Sequence, residues 1–207
     1  MKLIIFGSTG SIGLQLVEQA LLQEYEVTAF LRNPSKLSIE HPKLKTFQGD
    51  VLDFSTVKRA ISGQEAVFCA LGAGRKGKIR SEGTRNIIRA MEQLEVQRLI
   101  CQTTLGAGDS WANLNFFWKH IMFGMFLKEA FADHEIQEKY IRQSQLDWTI
   151  VRPAAFTDGD RTGKYEHGFG TKAKGLTLKI SRADVADFML KQLDGNQYLK
   201  KTPGLSY

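Results

Sequence analysis

The chain has 207 residues, 43% of them hydrophobic and 24% charged, with a formal charge of +6. That size sustains one well-filled core without disulfide staples, and the composition fits an ordinary soluble globular protein. The basic residues are scattered and no base-reading motif appears, which argues against a nucleic-acid partner; a polyanionic small molecule fits the balance equally well.

Leu3 to Phe6 is a continuous apolar run, as expected for a parallel strand buried on both faces. Gly7, Gly10 and Gly13 follow, with Thr9, Ser11 and Ile12 among them. Leu14, Leu16, Val17, Ala20 and Leu21 then recur at helical spacing. Strand, glycine turn and helix in that order predict a phosphate site. The glycines permit a tight turn and close backbone approach, and the helix start offers unpaired N–H groups to an anion. The spacing is G-x-x-G-x-x-G rather than the commoner G-x-G-x-x-G, and a tight turn without a ligand is the alternative. The chain opens directly on this strand, so no signal peptide is expected. Its longest uncharged apolar stretch falls far short of the roughly 20 residues that cross a bilayer. Two cysteines, Cys69 and Cys101, suit a reducing compartment and require no disulfide. The expectation is a cytoplasmic protein without a membrane partner.

Glu26 to Leu31 alternates and reads as a second strand, ending in a turn at Arg32-Asn33-Pro34-Ser35-Lys36. In a dinucleotide fold this strand end faces the adenosine ribose, where a basic residue accommodates the 2′-phosphate of NADP. Arg32 and Lys36 stand there without a neighbouring acid, which favours NADPH over NADH; a solvated surface arginine is the alternative. Leu44 to Phe47 is a third strand, followed by Gly49, Asp50 and Val51, then a helix from Thr56 to Ile61. Asp50 either meets the adenine or serves a turn or helix cap. Glu65 to Leu71 is a fourth, strongly apolar strand, after which Gly72-Ala73-Gly74 lets a loop pass close to a cofactor. Arg75, Lys76, Lys78 and Arg80 make that loop basic, for anion contact or simple solvation.

Ser81 with Arg85 to Glu92 gives an amphipathic helix, and Arg98 to Gln102 a fifth strand ending at Thr103-Thr104. Ligands of a doubly wound sheet lie beyond the carboxyl ends of its strands, so topology alone places both threonines near the nicotinamide. The segment from Gly106 to Phe131 has no counterpart in a minimal fold. It carries Trp111, Phe116, Phe117, Trp118, Met122, Phe123, Met125, Phe126 and Phe131. These are either core or the walls of a site for a flat apolar ligand. His134 to Arg142 is a helix, and Leu146 to Val151 a sixth strand ending at Arg152-Pro153-Ala154-Ala155-Phe156. Pro153 fixes that loop, and Phe156 is a candidate pocket residue. Leu176 to Ile180 reads as a last strand, and Ser181 to Asp184 opens the final helix with a capping-box spacing. The expected fold is therefore α/β, a single Rossmann-type doubly wound parallel sheet with helices on both faces, over residues 1–207.

Six stretches together carry a family resemblance: GSTGSIG at the first turn, Arg32, Gly49-Asp50-Val51, Ser81 to Asn86, Thr149 to Pro153, and Ser181 to Ala186. They span nearly the whole chain and resemble the atypical short-chain dehydrogenases, most of all the biliverdin-IXβ/flavin reductase type. The resemblance implies a monomeric NADPH-dependent reductase that places hydride on a bound flavin or linear tetrapyrrole. It implies that Thr104 stands where the family has a serine beside the nicotinamide, that Arg32 grips the 2′-phosphate, and that Ala155 replaces a histidine near the substrate. Leu71, Gly72, Thr103, His134 and Pro153 complete the expected cofactor contacts, and Trp111, Phe116, Ala155 and Phe156 the substrate contacts, with Thr104 as the catalytic hydroxyl.

The Tyr-x-x-x-Lys pair of ordinary short-chain dehydrogenases is missing; Ala130 and His134 occupy its places, and the adjacent Lys139 and Tyr140 point to different helix faces. Alcohol oxidation through a tyrosine base is therefore not expected. Reduction of a flavin or bilin asks only for orientation, stacking and a solvent proton. His134 is either the titratable group nearest the cofactor or a structural hydrogen-bonder. Two rivals remain: an NmrA-like protein that binds NADP without turnover, and an assembly factor that docks a partner through the 116–131 surface.

Overall fold

The computed structural model describes residues 1–72, 78–171 and 173–207. Ala73, Gly74, Arg75 and Lys76 of the expected basic loop lie outside the described residues. The elements alternate as the sequence predicts: β1 (Lys2–Phe6), α1 (Ser11–Leu22), β2 (Glu26–Leu31), β3 (Leu44–Gln48), α2 (Phe54–Ile61), β4 (Ala66–Cys69), α3 (Ile79–Gln93), β5 (Arg98–Gln102), α4 (Lys128–Gln143) and β6 (Asp147–Pro153). After them come β7 (Ala155–Thr157), β8 (Glu166–His167), β9 (Lys179–Ser181), α5 (Arg182–Lys191) and β10 (Gly204–Ser206).

The main sheet runs β3-β2-β1-β4-β5-β6-β10-β8, parallel from β3 through β10, with β8 antiparallel at the edge. The chain reverses direction of travel between β1 and β4, and that switch point opens a crevice at the carboxyl ends of the strands. α1 and α5 cover one face over Leu3, Ile5, Leu16, Val17 and Met189. α2, α3 and α4 cover the other over Ile4, Val67, Leu99 and Ile150. Buried apolar runs rather than alternating strands are what two covered faces require. Cys69 and Cys101 sit side by side across β4 and β5 as free buried thiols.

One expected strand is placed differently. Leu176 to Ile180 does not join the main sheet: Leu178 adopts a positive φ of 56°, and only Lys179–Ser181 is extended, paired with β7 in a separate two-stranded sheet. The position beside β6 is filled by β10, whose Leu205 and Ser206 are fully buried. Gly204 makes room for the Phe169 ring, which a β-carbon would meet at 2.8 Å.

The first turn rests on backbone contact. A β-carbon on Gly13 would lie 2.0 Å from the Gly7 carbonyl oxygen, and one on Gly7, at φ 81°, 2.3 Å from that of Ala70. Gly13→Ala is therefore expected to cost about 3 kcal/mol, because the obstacle is backbone that has no rotamer to yield. Gly170→Ala, with nothing within 4 Å of the new carbon, is the control, expected to shift stability by less than about 1 kcal/mol in the same urea titration.

Candidate functional site

The crevice is a cleft of about 630 Å³ over the strand ends, within the range of small-molecule sites. Its floor at one end is the turn after β1. Gly7, Thr9, Gly10, Ser11 and Ile12 all line it. No side chain caps α1 and no acidic residue sits in its first turn, so its leading N–H groups and partial positive charge are offered to the cleft. This arrangement fits a diphosphate. Gly13 faces the Gly7 carbonyl beneath and does not line the cleft; its part is the helix–strand approach. Ser8 donates to the Phe30 carbonyl at 3.0 Å and ties the turn to β2.

Arg32, exposed at the end of β2, lines the rim of the same end. Lys36 does not: Asn33 accepts from the Ser35 backbone N–H at 3.1 Å, starting a short helical turn that carries Lys36 away. Asp50 lines the cleft and accepts from the Leu52 N–H at 2.9 Å, which is the turn role expected of it. The cap of α2 is Asp53 instead. Val51, Leu71 and Gly72 line the wall between these groups and the middle of the cleft.

In the middle, Thr103, Thr104, His134, Pro153, Ala155 and Phe156 come together as expected. Thr104 is half-buried, and among the described residues its hydroxyl makes only a long contact to the Leu105 carbonyl, 3.3 Å, which leaves it available to a ligand. Thr103 is turned to structural use: its hydroxyl donates to Glu138 at 2.9 Å. Gln137 turns its amide nitrogen to Thr84 and Cys101, so its oxygen accepts from His134 Nδ1 at 3.0 Å. Burial, then the charge of Arg80, pushes the His134 pKa down to about 4. At neutral pH the ring is uncharged, a hydrogen-bonder rather than an acid.

The aromatic segment splits between two tasks. A π-helix spans Phe117–Phe126, with the Leu127 N–H reaching back to the Met122 carbonyl at 2.7 Å. Its inward side gives Trp118 and Phe123 to the cleft, flanked by Leu114 and Leu127. Trp111 and Phe116 do not line the cleft. Trp111 packs behind it, 5.4 Å from the Phe131 ring, and Phe116 is 72% exposed against His120. Aromatic composition marks the segment, but a π-turn follows neither the helical nor the strand period, so no spacing rule selects the inward side.

Beneath this site lies a network that the sequence did not reveal. Arg152, 1% exposed, donates from Nε and Nη2 to the two Glu138 oxygens at 2.9 and 2.6 Å, and from Nη1 to Asp109. β6, α4 and the 106–131 segment are thereby joined at one guanidinium, with Thr103, directly after β5, on the same carboxylate. Burial works against the charge of Arg152, but Glu138 and Asp109 outweigh it and raise its pKa; Arg152 in turn lowers that of Asp109. The signal was an arginine between Val151 and Pro153 in a buried strand, where a charge demands partners. A second carboxylate, Asp133 of α4, accepts from the Arg80 and Ser81 N–H groups at 3.1 Å and caps α3 from outside.

Residues 7–196 match the family described as NAD(P)H-binding. The chain belongs to that family. It is similar to the uncharacterized protein YwnB of Bacillus subtilis, 29% identical over 94% of this chain and 92% of that one. Among solved structures, it is similar to ChuY, an anaerobillin reductase from Escherichia coli O157:H7, with a TM-score of 0.82, 26% identity, and coverage of 99% and 96%. It shares its fold with a short-chain dehydrogenase/reductase of Veillonella parvula in complex with NADP, at a TM-score of 0.83, 18% identity, and coverage of 100% and 94%. Among the described residues, no helix is long and apolar enough to cross a membrane.

Two outcomes follow from the site's charges. Arg152→Met strands Glu138 and is expected to destabilise the fold by about 3–5 kcal/mol, whereas adding Glu138→Leu recovers much of that loss, as denaturant titration of the single and double variants would read. Unfolded histidine titrates near 6.5, so the unfolded chain takes up a proton before His134 does in the fold. The stability that the neutral ring confers is complete above about pH 6.5 and declines as pH falls toward 4. His134→Gln is expected to flatten that decline in unfolding measured from pH 7 to 4.5.

Proposed function

We propose that this NAD(P)H-binding protein is a cytoplasmic, monomeric NADPH-dependent reductase of a flat conjugated acceptor, a flavin or a biliverdin-type linear tetrapyrrole. The observation that carries this reading is the composition of the cleft over the strand ends. An uncapped helix start and Arg32 stand at one end, Phe156 near the middle, and a wall of Trp118, Phe123 and Leu114 at the other. Ala130 and His134 stand where a tyrosine–lysine pair would be, and His134 is uncharged. Around Thr104 such a site orients and shields but, among the described residues, offers no strong acid or base, which suits an acceptor that takes its proton from water. The likeness to ChuY supports a bilin-type acceptor in particular.

When bound, the reduced nicotinamide supplies the hydride. Arg32 pairs with the ribose phosphate and selects NADPH over NADH. Thr104 donates its hydroxyl hydrogen bond beside the reacting ring, and Ala155 leaves room over it where a larger side chain would intrude. Trp118 and Phe123 exclude water from one side and present faces on which a planar acceptor stacks.

A second reading, a dinucleotide-bound docking protein, draws on the outward side of the π-helix, where Phe116, Phe117 and Met125 are exposed. The two readings separate in one assay. NADPH oxidation is followed by absorbance with FMN and with biliverdin in turn, and with NADH as control donor. Turnover of either acceptor with NADPH preferred, and loss of that preference of about tenfold or more in Arg32→Ala, is the expected result. Tight NADPH binding without reduction of either acceptor would favour the docking or NmrA-like sensor readings.

A further inference from the structure

Arg182 begins α5 and was singled out in the sequence only as part of a capping pattern. Ser181 accepts from the Asp184 N–H at 3.0 Å, and α5 is pinned to α1 by the Gln19 side chain donating to the Ala183 carbonyl at 2.9 Å. The arginine is therefore held beside the first turns of α1. It lines the main cleft, and it also borders a smaller recess floored by Ser11, Leu14 and Gln15 of that helix. Its guanidinium lies 5.6 Å from the Phe156 ring centre and donates from Nη1 to Asp158 at 2.7 Å. Its Nε is buried and has no hydrogen-bond partner among the described residues.

We infer that Arg182 is a second cationic contact for the cofactor, closing on the diphosphate from α5 opposite the uncapped start of α1. The inference rests on cofactor binding at that helix start. A buried donor without an acceptor is uncommon in folded proteins and marks a partner still to come. Asp158 does not fill the role: its side chain is 98% exposed, and an ion pair of that kind is weak and readily exchanged. A diphosphate offers the guanidinium several charged oxygens at once. Arg32 and Arg182 then divide the cofactor between them, one at the ribose phosphate and one at the diphosphate.

Equilibrium titration of the full chain with NADP+ and with adenosine 2′-monophosphate, which keeps the ribose 2′-phosphate but has no phosphate at the diphosphate position, tests this. Arg182→Gln is expected to weaken NADP+ about tenfold and the monophosphate less than about twofold, with an unchanged melting temperature. Arg32→Ala weakens both ligands. Asp158→Asn removes the competing carboxylate and is expected to tighten NADP+ at low salt, a gain that Arg182→Gln abolishes; a merely structural arginine would give no such gain. Unchanged NADP+ affinity in Arg182→Gln, or equal weakening of both ligands, would overturn the assignment. Failure of the unaltered chain to bind either ligand would instead overturn the cofactor reading, and this assignment with it.

Discussion

The structure depends on how closely α1 starts against the end of β1. No β-carbon fits at Gly7 or Gly13, because the Ala70 and Gly7 carbonyls occupy that space. Helix and strand therefore meet backbone to backbone, and the first N–H groups of α1 emerge at the switch point of the sheet rather than above it. Everything else in the cleft is arranged around that edge: Arg32 from the next strand, Gly72 from the fourth, and the threonines from the fifth. A charge-poor, uncapped helix start would be a liability in a closed core. At the mouth of a cleft it is a binding surface.

The other half of the site is held by a different kind of constraint. Thr103, Glu138, Arg152 and Asp109 form a chain of charge-assisted bonds that runs from β5 through α4 and β6 into the aromatic segment. Apolar contact could fasten the wall, but it would not fix its register against the strand ends as directional bonds do. The network is costly to break and modest in net stability, which is the usual balance for buried ions. It positions Trp118 and Phe123 over the cleft while leaving Thr104 uncommitted. Stability and availability are thus divided between two adjacent threonines.

The strands and helices that follow a clear period were legible in the sequence. β2 and β5 have the boundaries their composition implies, and α5 begins at the expected serine cap. β10 was not legible, since three residues, Gly204, Leu205 and Ser206, carry no period, and their burial comes from β6 and Phe169. The glycine turn at one end of the cleft was readable because it depends on local spacing. The aromatic end was readable only as composition: Trp118 and Phe123 face inward and Trp111 and Phe116 do not, a choice made by tertiary packing and the π-turn. Arg152 and Glu138 lie 14 residues apart, on elements whose meeting is set by the whole sheet.

The most direct test is a single turnover. NADPH bound to the protein is mixed anaerobically with one equivalent of FMN or of biliverdin, and nicotinamide and acceptor absorbances are followed together. The account predicts that both signals fall with the same rate constant, one NADPH oxidised per acceptor reduced, and that the rate drops when the transferred hydrogen of NADPH is deuterium. Bound NADPH that persists unchanged beside both acceptors would contradict it.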